Sequence, residues 1–438
     1  MRRSHSGQAL VLALALLAGM LGGFALVFNT GQLVNDKMRL TNATDAAAWS
    51  AAQWQARALN FQAYLNRAII ANEVAIAQLV SLRSWSQYVD TLTSNVDRVA
   101  RYVPYVNAAV RALERGWDVV DATIAATLPP FAGALSWWNA DVLAKAQAGA
   151  HLAALPAAYD VFEQVLRANE PRARVSASTR LLVGRNASAW NGFTERYERG
   201  GGDLRRFTRL LTDSRDGFTR SRRGKWFDSG LLSVVRRGGT DLIGEYAWRG
   251  MDTVSLHIDY LLGHEEIPVG WGAAEVRAPG HAARARGSHG GSYSSNPSAS
   301  ARAARAIRRY ENYQGVPQIR DLDDPGAREV PRLVYAVAAH LPGREVRTLD
   351  RLLMPAGLAI LEGGHESVAP AYAEGSLHAL ASAEVYFQRP AERADRRREY
   401  PSLFNPYWQA RLVSPSAADR MLTARDRGLS VDPFAGLP

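Results

Sequence analysis

From Ala9 to Phe28 the chain carries twenty consecutive residues without a charge, and after Gly31 it runs without proline or glycine to Pro104. At 1.5 Å rise per residue, twenty helical residues span about 30 Å, the thickness of a bilayer's hydrocarbon core. A secretory signal has a shorter apolar region, about 7–15 residues, closed by an A-x-A-like site. Here the stretch is longer and continues into Asn29-Thr30-Gly31-Gln32. The segment 9–28 therefore reads as an uncleaved transmembrane anchor. Arg2 and Arg3 precede it, so the positive-inside tendency places residues 1–8 in the cytoplasm and the bulk of the chain across the membrane. In a bacterium that is the inner membrane, with the bulk in the periplasm. Ala15, Gly19 and Gly23 stand four apart, with Gly22 beside them. Small residues at this spacing let membrane helices approach closely.

The breaker-free stretch has its own pattern. Steps of seven from Leu33 meet Leu40, Ala47, Trp54, Phe61, Ala68, Ala75, Leu82, Val89 and Val96, all apolar. Good helix formers dominate between them. This predicts one or two long amphipathic helices reaching about Val103, with a stripe that packs on something. The second seam is interrupted by Lys37, Thr44, Asn72 and Ser86 in one phase and by Arg57 and Gln78 in the other. A strict two-stranded coiled coil is excluded, and packing against its own domain or a bundle of like helices is expected.

Three elements carry a family resemblance: Gly7-Gln8-Ala9-Leu10 with the apolar span behind it, the exit Asn29-Thr30-Gly31-Gln32, and Leu40-Thr41-Asn42-Ala43-Thr44-Asp45-Ala46-Ala47-Ala48. Together they resemble the N-terminal segment of TadE/TadG-like Flp pilus-assembly proteins. The segments 383–390 and 402–412 are similar to the tails of longer Tad-related membrane proteins. The resemblance implies a membrane protein that assists pilus assembly, with pilin-like subunits or Tad secretion-machinery proteins as partners. Two departures limit it. Members processed like prepilins carry glutamate where this chain has Leu12, so cleavage after Gly7 is not implied. The larger relatives' D-x-S-x-S metal loop occurs nowhere in the sequence.

Beyond the stripe, helical patterning covers 105–128, breaks at Pro129-Pro130 and resumes from 131 to 169, with Trp137-Trp138 as a core pair. Residues 29–170 thus read as a helical region. From 171 to 413 the character is α+β, and 414–438 form a tail. Val175 to Val183 is rich in β-branched and small residues. Residues 252–260 alternate, with Val254, Leu256, Ile258 and Tyr260 opposite Ser255, His257 and Asp259. Residues 332–340 and 376–388 also read as strands, giving an antiparallel sheet with one wet face.

Function classes are bounded by what the chain lacks. Without cysteine it has no disulfide scaffold, thiolate zinc site or iron–sulfur cluster. The net charge of +10 is almost entirely arginine, since Lys37, Lys145 and Lys225 are the only lysines. No nucleic-acid motif accompanies that charge. Between Val276 and Tyr310 there are seven arginines and no acidic residue, so 278–300 reads as a solvated loop that could touch an envelope polymer. His257, His264, Glu265 and Glu266, with His378 from another strand as a candidate addition, are the densest metal-type group. A metal hydrolase would use His257, His264 and Glu265, but no H-E-x-x-H accompanies them. The Asp321-Leu322-Asp323 run lacks an EF-hand's remaining ligands and reads as a turn. No P-loop, G-x-G-x-x-G or G-x-S-x-G is present. The expectation is a non-enzymatic anchored component without cofactor. The alternatives are an anchored metal hydrolase or an envelope-binding module.

Overall fold

The computed structural model describes residues 8–100, 107–261, 263–281, 286–323, 331–347, 376–397 and 399–424. Gly7 and Val103 lie outside these residues, as does most of the tail. The protein is α+β. Its first helix, α1, runs unbroken from Gln8 to Ala100, as the absence of breakers predicts. The chain divides into two compact units. One comprises Met1–Phe61, Ala150–Glu195 and Leu322–Pro438, the other Gln62–Gly149 and Arg196–Asp321.

The first unit holds the N-terminal half of α1, most of α3 (Ala144–Asn169), α4 (Thr179–Phe193) and a four-stranded sheet. Strands β1 (Arg174–Val175), β9 (Leu333–Leu341), β10 (Leu377–Phe387) and β11 (Trp408–Val413) lie in that order, all antiparallel. One sheet face packs on an alanine-rich side of α1 and on Ala154, Ala158, Phe162 and Leu166 of α3. Alanine's small volume lets α1 lie close to the sheet. The other face is covered by α4, where Leu182 packs on Ala336 and Ala338. The expected wet face is therefore absent, because a helix occupies it. That helix includes much of 175–183, whose β-branched residues do not extend β1.

Both outer edges of this sheet are met by helix side chains. Asn60 of α1 accepts from Trp408 N and donates to Trp408 O, each at 2.9 Å, while Trp49 Nε1 donates to Ala410 O. On β9, Asn186 and Thr179 of α4 exchange bonds with the backbone of Ala336 and Ala338. A strand edge satisfied in this way cannot recruit another chain.

The second unit contains the rest of α1, α2 (Asn107–Trp137), short helices α5 (Gly202–Asp213) and α6 (Gly217–Arg220), and a five-stranded sheet. Its order is β3 (Gly224–Asp228), β4 (Leu232–Ile243), β5 (Ala247–Tyr260), β6 (Gly263–Arg277), β7 (Arg308–Tyr310). Among the described residues a two-stranded ribbon of β2 (Thr194–Arg196) and β8 (Arg320–Leu322) is separate from both sheets. Helix α1 clamps β6: Gln87, Thr91 and Asn95 bond the backbone of Ala273, Trp271 and Val269. Four helical residues rise about 6 Å and two strand residues about 6.7 Å, so the two ladders stay in step. Gly272 makes the contact feasible, because a Cβ there would sit 2.2 Å from Ser84 O and 2.4 Å from Tyr88 N.

Three further expectations are corrected. Helix α2 passes through Pro129 and Pro130 without a break. Interior proline removes a donor, so Pro129 and Pro130 cost the helix its bonds to the carbonyls of Ala125 and Ala126, and the helix nonetheless continues. Asn312 Nδ2 separately donates to the carbonyl of Pro129 beside Gly133. Trp137 and Trp138 are exposed rather than core, since Ser136 and Asn139 occupy the inward positions. The stretch 278–300 is not simply a solvated loop. It contains α7 (Ser292–Ser295) and the start of α8 (Pro297–Arg305). Ala303 of α8 packs on Met251 and Ala273, and Asn296 and Ser300 are buried. Short side chains that bury little area singly allow the helix to lie flat on the strands. The last helix, α9 (Ala417–Leu422), begins with a capping box from Ser416 and Asp419.

Candidate functional site

The region singled out by sequence is the first half of α1. From Leu10 to Val27 its large apolar side chains are exposed, including Leu12, Leu16, Leu21 and Phe24. Among the described residues, nothing beyond the helix's own backbone lies within 4 Å of a Cβ built at Gly19, Gly22, Gly23 or Gly31, and Ala15 is exposed. No described residue packs on the small-residue face. A second helical stretch, within 109–169, is also long and apolar enough to cross a membrane. Its most apolar window is 17% buried inside the protein, against 6% for the N-terminal one.

Past the exit the helix enters the first unit's core. Leu40, Ala43 and Ala47 are buried, Asp45 and Ala46 are half-buried, and Asn42 faces solvent. Burial alone holds the Asp45 carboxyl above the usual range. Asn29 is half-buried and Gly31 exposed. Sequence reading missed Asp36, which is buried and clasped by Arg172 through two bonds of 2.8 and 3.2 Å. Arg172 also binds the buried Glu170 at 2.8 Å, and Arg39 reaches Glu170 at 3.2 Å. Burial opposes ionisation of Asp36, but the bonds and charges of Arg172 and Arg347 outweigh it and hold the carboxyl low. Glu170 is held low chiefly by its hydrogen bond to Arg172. The one available signal was an acidic residue eight positions beyond the apolar span.

The seven-spaced stripe does not stay on one side. Each step of seven falls back about 20° on a helix of 3.6 residues per turn, so nine steps from Leu33 to Val96 turn the line by about 180°. Leu33 is half-buried and Leu40 buried. Trp54 and Phe61 are 39% and 48% exposed, Leu82 and Val96 exposed, and Val89 half-buried. The buried line repeats every eleven residues instead, through Leu40, Ala51, Gln62, Glu73 and Ser84, and through Thr44, Gln55, Asn66, Ala77 and Tyr88. Eleven residues in three turns, 3.67 per turn, tracks the helix more closely than seven in two. Of the polar residues that make the second seam ragged, Thr44 and Ser86 are buried, Lys37 and Asn72 are half-buried, and Arg57 and Gln78 are exposed. Glu73 accepts from Asn139 Nδ2, Trp248 Nε1 and Tyr313 OH at 3.0, 2.9 and 2.7 Å. Complete burial raises its pKa against the lowering effect of these bonds.

His257 and His264 do come together, with Nδ1 and Nε2 at 3.0 Å. Their other ring nitrogens meet Asn296 Oδ1 at 2.9 Å and Asp259 Oδ1 at 2.7 Å. His264 and Glu266 pair across the hairpin with Asp259 and His257, so the alternation of β6 turns Glu265 to the opposite face. Among the described residues no three His, Asp or Glu side chains converge in a metal-holding group.

The N-terminal region is thus an exposed apolar helix that continues through an alanine-rich face into the first unit's core. Residues 7–54 match the family model described as "Putative Flp pilus-assembly TadE/G-like". The match covers the exposed helix, the exit and the alanine face, and so the elements on which the resemblance was drawn. No curated protein and no solved structure matches the chain.

Proposed function

We propose that the protein is a non-enzymatic, single-pass inner-membrane component of Flp-type pilus assembly. Residues 9–28 cross the membrane once, the N-terminus is cytoplasmic, and both units lie in the periplasm. The observation carrying this reading is the family match over 7–54, which coincides with an exposed apolar helix that runs directly into the first unit's core. Of the two apolar stretches the N-terminal one is the more apolar and the less buried, 6% against 17%, which favours it as the one that crosses. The partner-facing surface is the exposed part of the stripe at Trp54 and Phe61, which are seven residues apart and outside the core. Pilin-like subunits or Tad machinery proteins dock there through helix-on-helix packing.

Trp54→Asp and Phe61→Asp place a charge on that surface without entering the core. Both variants are expected to insert normally and to abolish piliation in the native bacterium. Normal piliation by a stably expressed Trp54→Asp strain would overturn the reading. Photo-crosslinking from position 54 should yield adducts with Flp pilus-assembly proteins. Purely intramolecular adducts would instead make the stripe internal packing.

A further inference from the structure

In the second unit the two edges of the five-stranded sheet are treated differently. The outer edge of β6 is taken by β7 at 274–276 and by the side chains of Gln87, Thr91 and Asn95 at 269–273. Strand β3 is the opposite edge, and among the described residues no strand pairs with its outer side. Charges and bulges are common protections of such an edge, and β3 has both. It also has what a protected edge avoids. Trp226 and Phe227 are 55% and 53% exposed, and Leu231 in the β3–β4 turn is exposed. The neighbouring β5–β6 tip, joined to that turn by Asp259 N donating to Leu231 O at 2.8 Å, adds exposed Tyr260 and the fully exposed Leu261.

The pattern of β3 names its partner. Lys225 opposes Val235 and Phe227 opposes Val234, leaving Trp226 as a bulged extra residue, while Asp228 opposes Ser233. Lys225 and Asp228 consequently share a face, with Nζ and Oδ2 at 2.6 Å. Read against itself in the antiparallel sense, the run Lys225-Trp226-Phe227-Asp228 is self-complementary. About a two-fold axis between Trp226 and Phe227, each Lys225 meets the other copy's Asp228, and each Trp226 meets the other copy's Phe227.

We propose that β3 pairs with β3 of a second copy of this chain, joining two five-stranded sheets across an isologous interface. Opposite charges and aromatic pairs directly across an antiparallel ladder are favourable, and like charges there are unfavourable. The ion pair within each strand exchanges for two between copies, and the turns at Leu231 and Leu261 flank the seam.

The test uses the full chain in detergent, with light-scattering mass and co-purification of two differently tagged copies. Wild type is expected to be dimeric. Lys225→Asp and Asp228→Lys each set like charges across both ends of the seam, and each should weaken dimerisation about tenfold or more. Mixing the two variants restores both opposite-charge pairs, so the mixture should dimerise as heterodimers. Repair within one chain cannot produce that result. A monomeric wild type overturns the proposal. So do single variants that dimerise as wild type does, as association through the anchor would allow, and a mixture that stays monomeric.

Discussion

Removing the carboxylate of Asp252 tests whether the second unit depends on one buried ion pair. The Arg222 side chain is 1% exposed and that of Asp252 fully buried, with Nε–Oδ1 at 2.6 Å and Nη2–Oδ2 at 2.8 Å. Ser84 of α1 donates to the same carboxylate at 2.7 Å. Arg222 further ties its own segment to β4 through its backbone N–H on Gly238 O. The carboxylate lies over Gly238, where a Cβ would be 2.1 Å from Oδ1. Asp252→Ala leaves a guanidinium in an apolar interior without its anion, which costs about 3–5 kcal/mol. For a unit of this size each kcal/mol moves Tm by roughly 2–4 °C, so a fall of about 10 °C is expected. Thermal unfolding of the detergent-solubilised chain, followed by tryptophan fluorescence, reads it. Replacing both partners, Arg222→Met with Asp252→Leu, removes the stranded charge and should recover most of the loss. An Asp252→Ala melt within 2 °C of wild type, or a double variant worse than the single one, would refute the reasoning.

Two further perturbations probe packing and titration. Gly272→Ala forces a methyl against the α1 backbone and should destabilise the second unit by about 1–3 kcal/mol. Gly184→Ala in α4, where nothing lies within 4 Å, should be neutral or stabilising by up to about 1 kcal/mol; equal melting of the two variants would remove the close-approach argument. Burial, aided by Arg249 and Arg222 against Asp241 and Asp252, pushes His289 down to about 4. Because that pKa lies below the unfolded value of about 6.5, the folded state keeps a neutral ring while the unfolded chain takes up a proton. Its contribution of about 3 kcal/mol is complete above pH 6.5 and is lost as pH falls through about 4. His289→Asn should flatten the Tm profile over that window, and an unchanged slope would refute the assignment.

Much of the architecture was legible in local sequence. Twenty uncharged residues followed by a breaker-free run specify helix, because backbone propensity and the absence of proline act within a few residues. The strands 333–341 and 377–387 were legible through alternation, as was the family segment through its alanines. The metal-type cluster was legible as far as His257 and His264, while the facing of Glu265 required the register of β6 with β5. Proline at 129–130 misled because each interior proline costs a helix one hydrogen bond, while the burial of Leu128 and Ala132 that holds this segment in place is tertiary.

What the tertiary structure decided is which side of each element is inside. The sequence by itself made α1 a helix and offered a seven-spaced line along it, from Leu33 to Val96. The alanine seat for the first unit's sheet and the glycine at 272 in β6 selected the eleven-residue line, and so left Trp54 and Phe61 outside. The same holds for Asn60, Gln87, Thr91 and Asn95, which as sequence are indistinguishable from solvated polar residues. They become half-buried edge partners because strands distant in the chain lie opposite them with unpaired backbone groups. Helix formation is a property of neighbours in sequence; burial is a relation between residues that only the folded chain brings together.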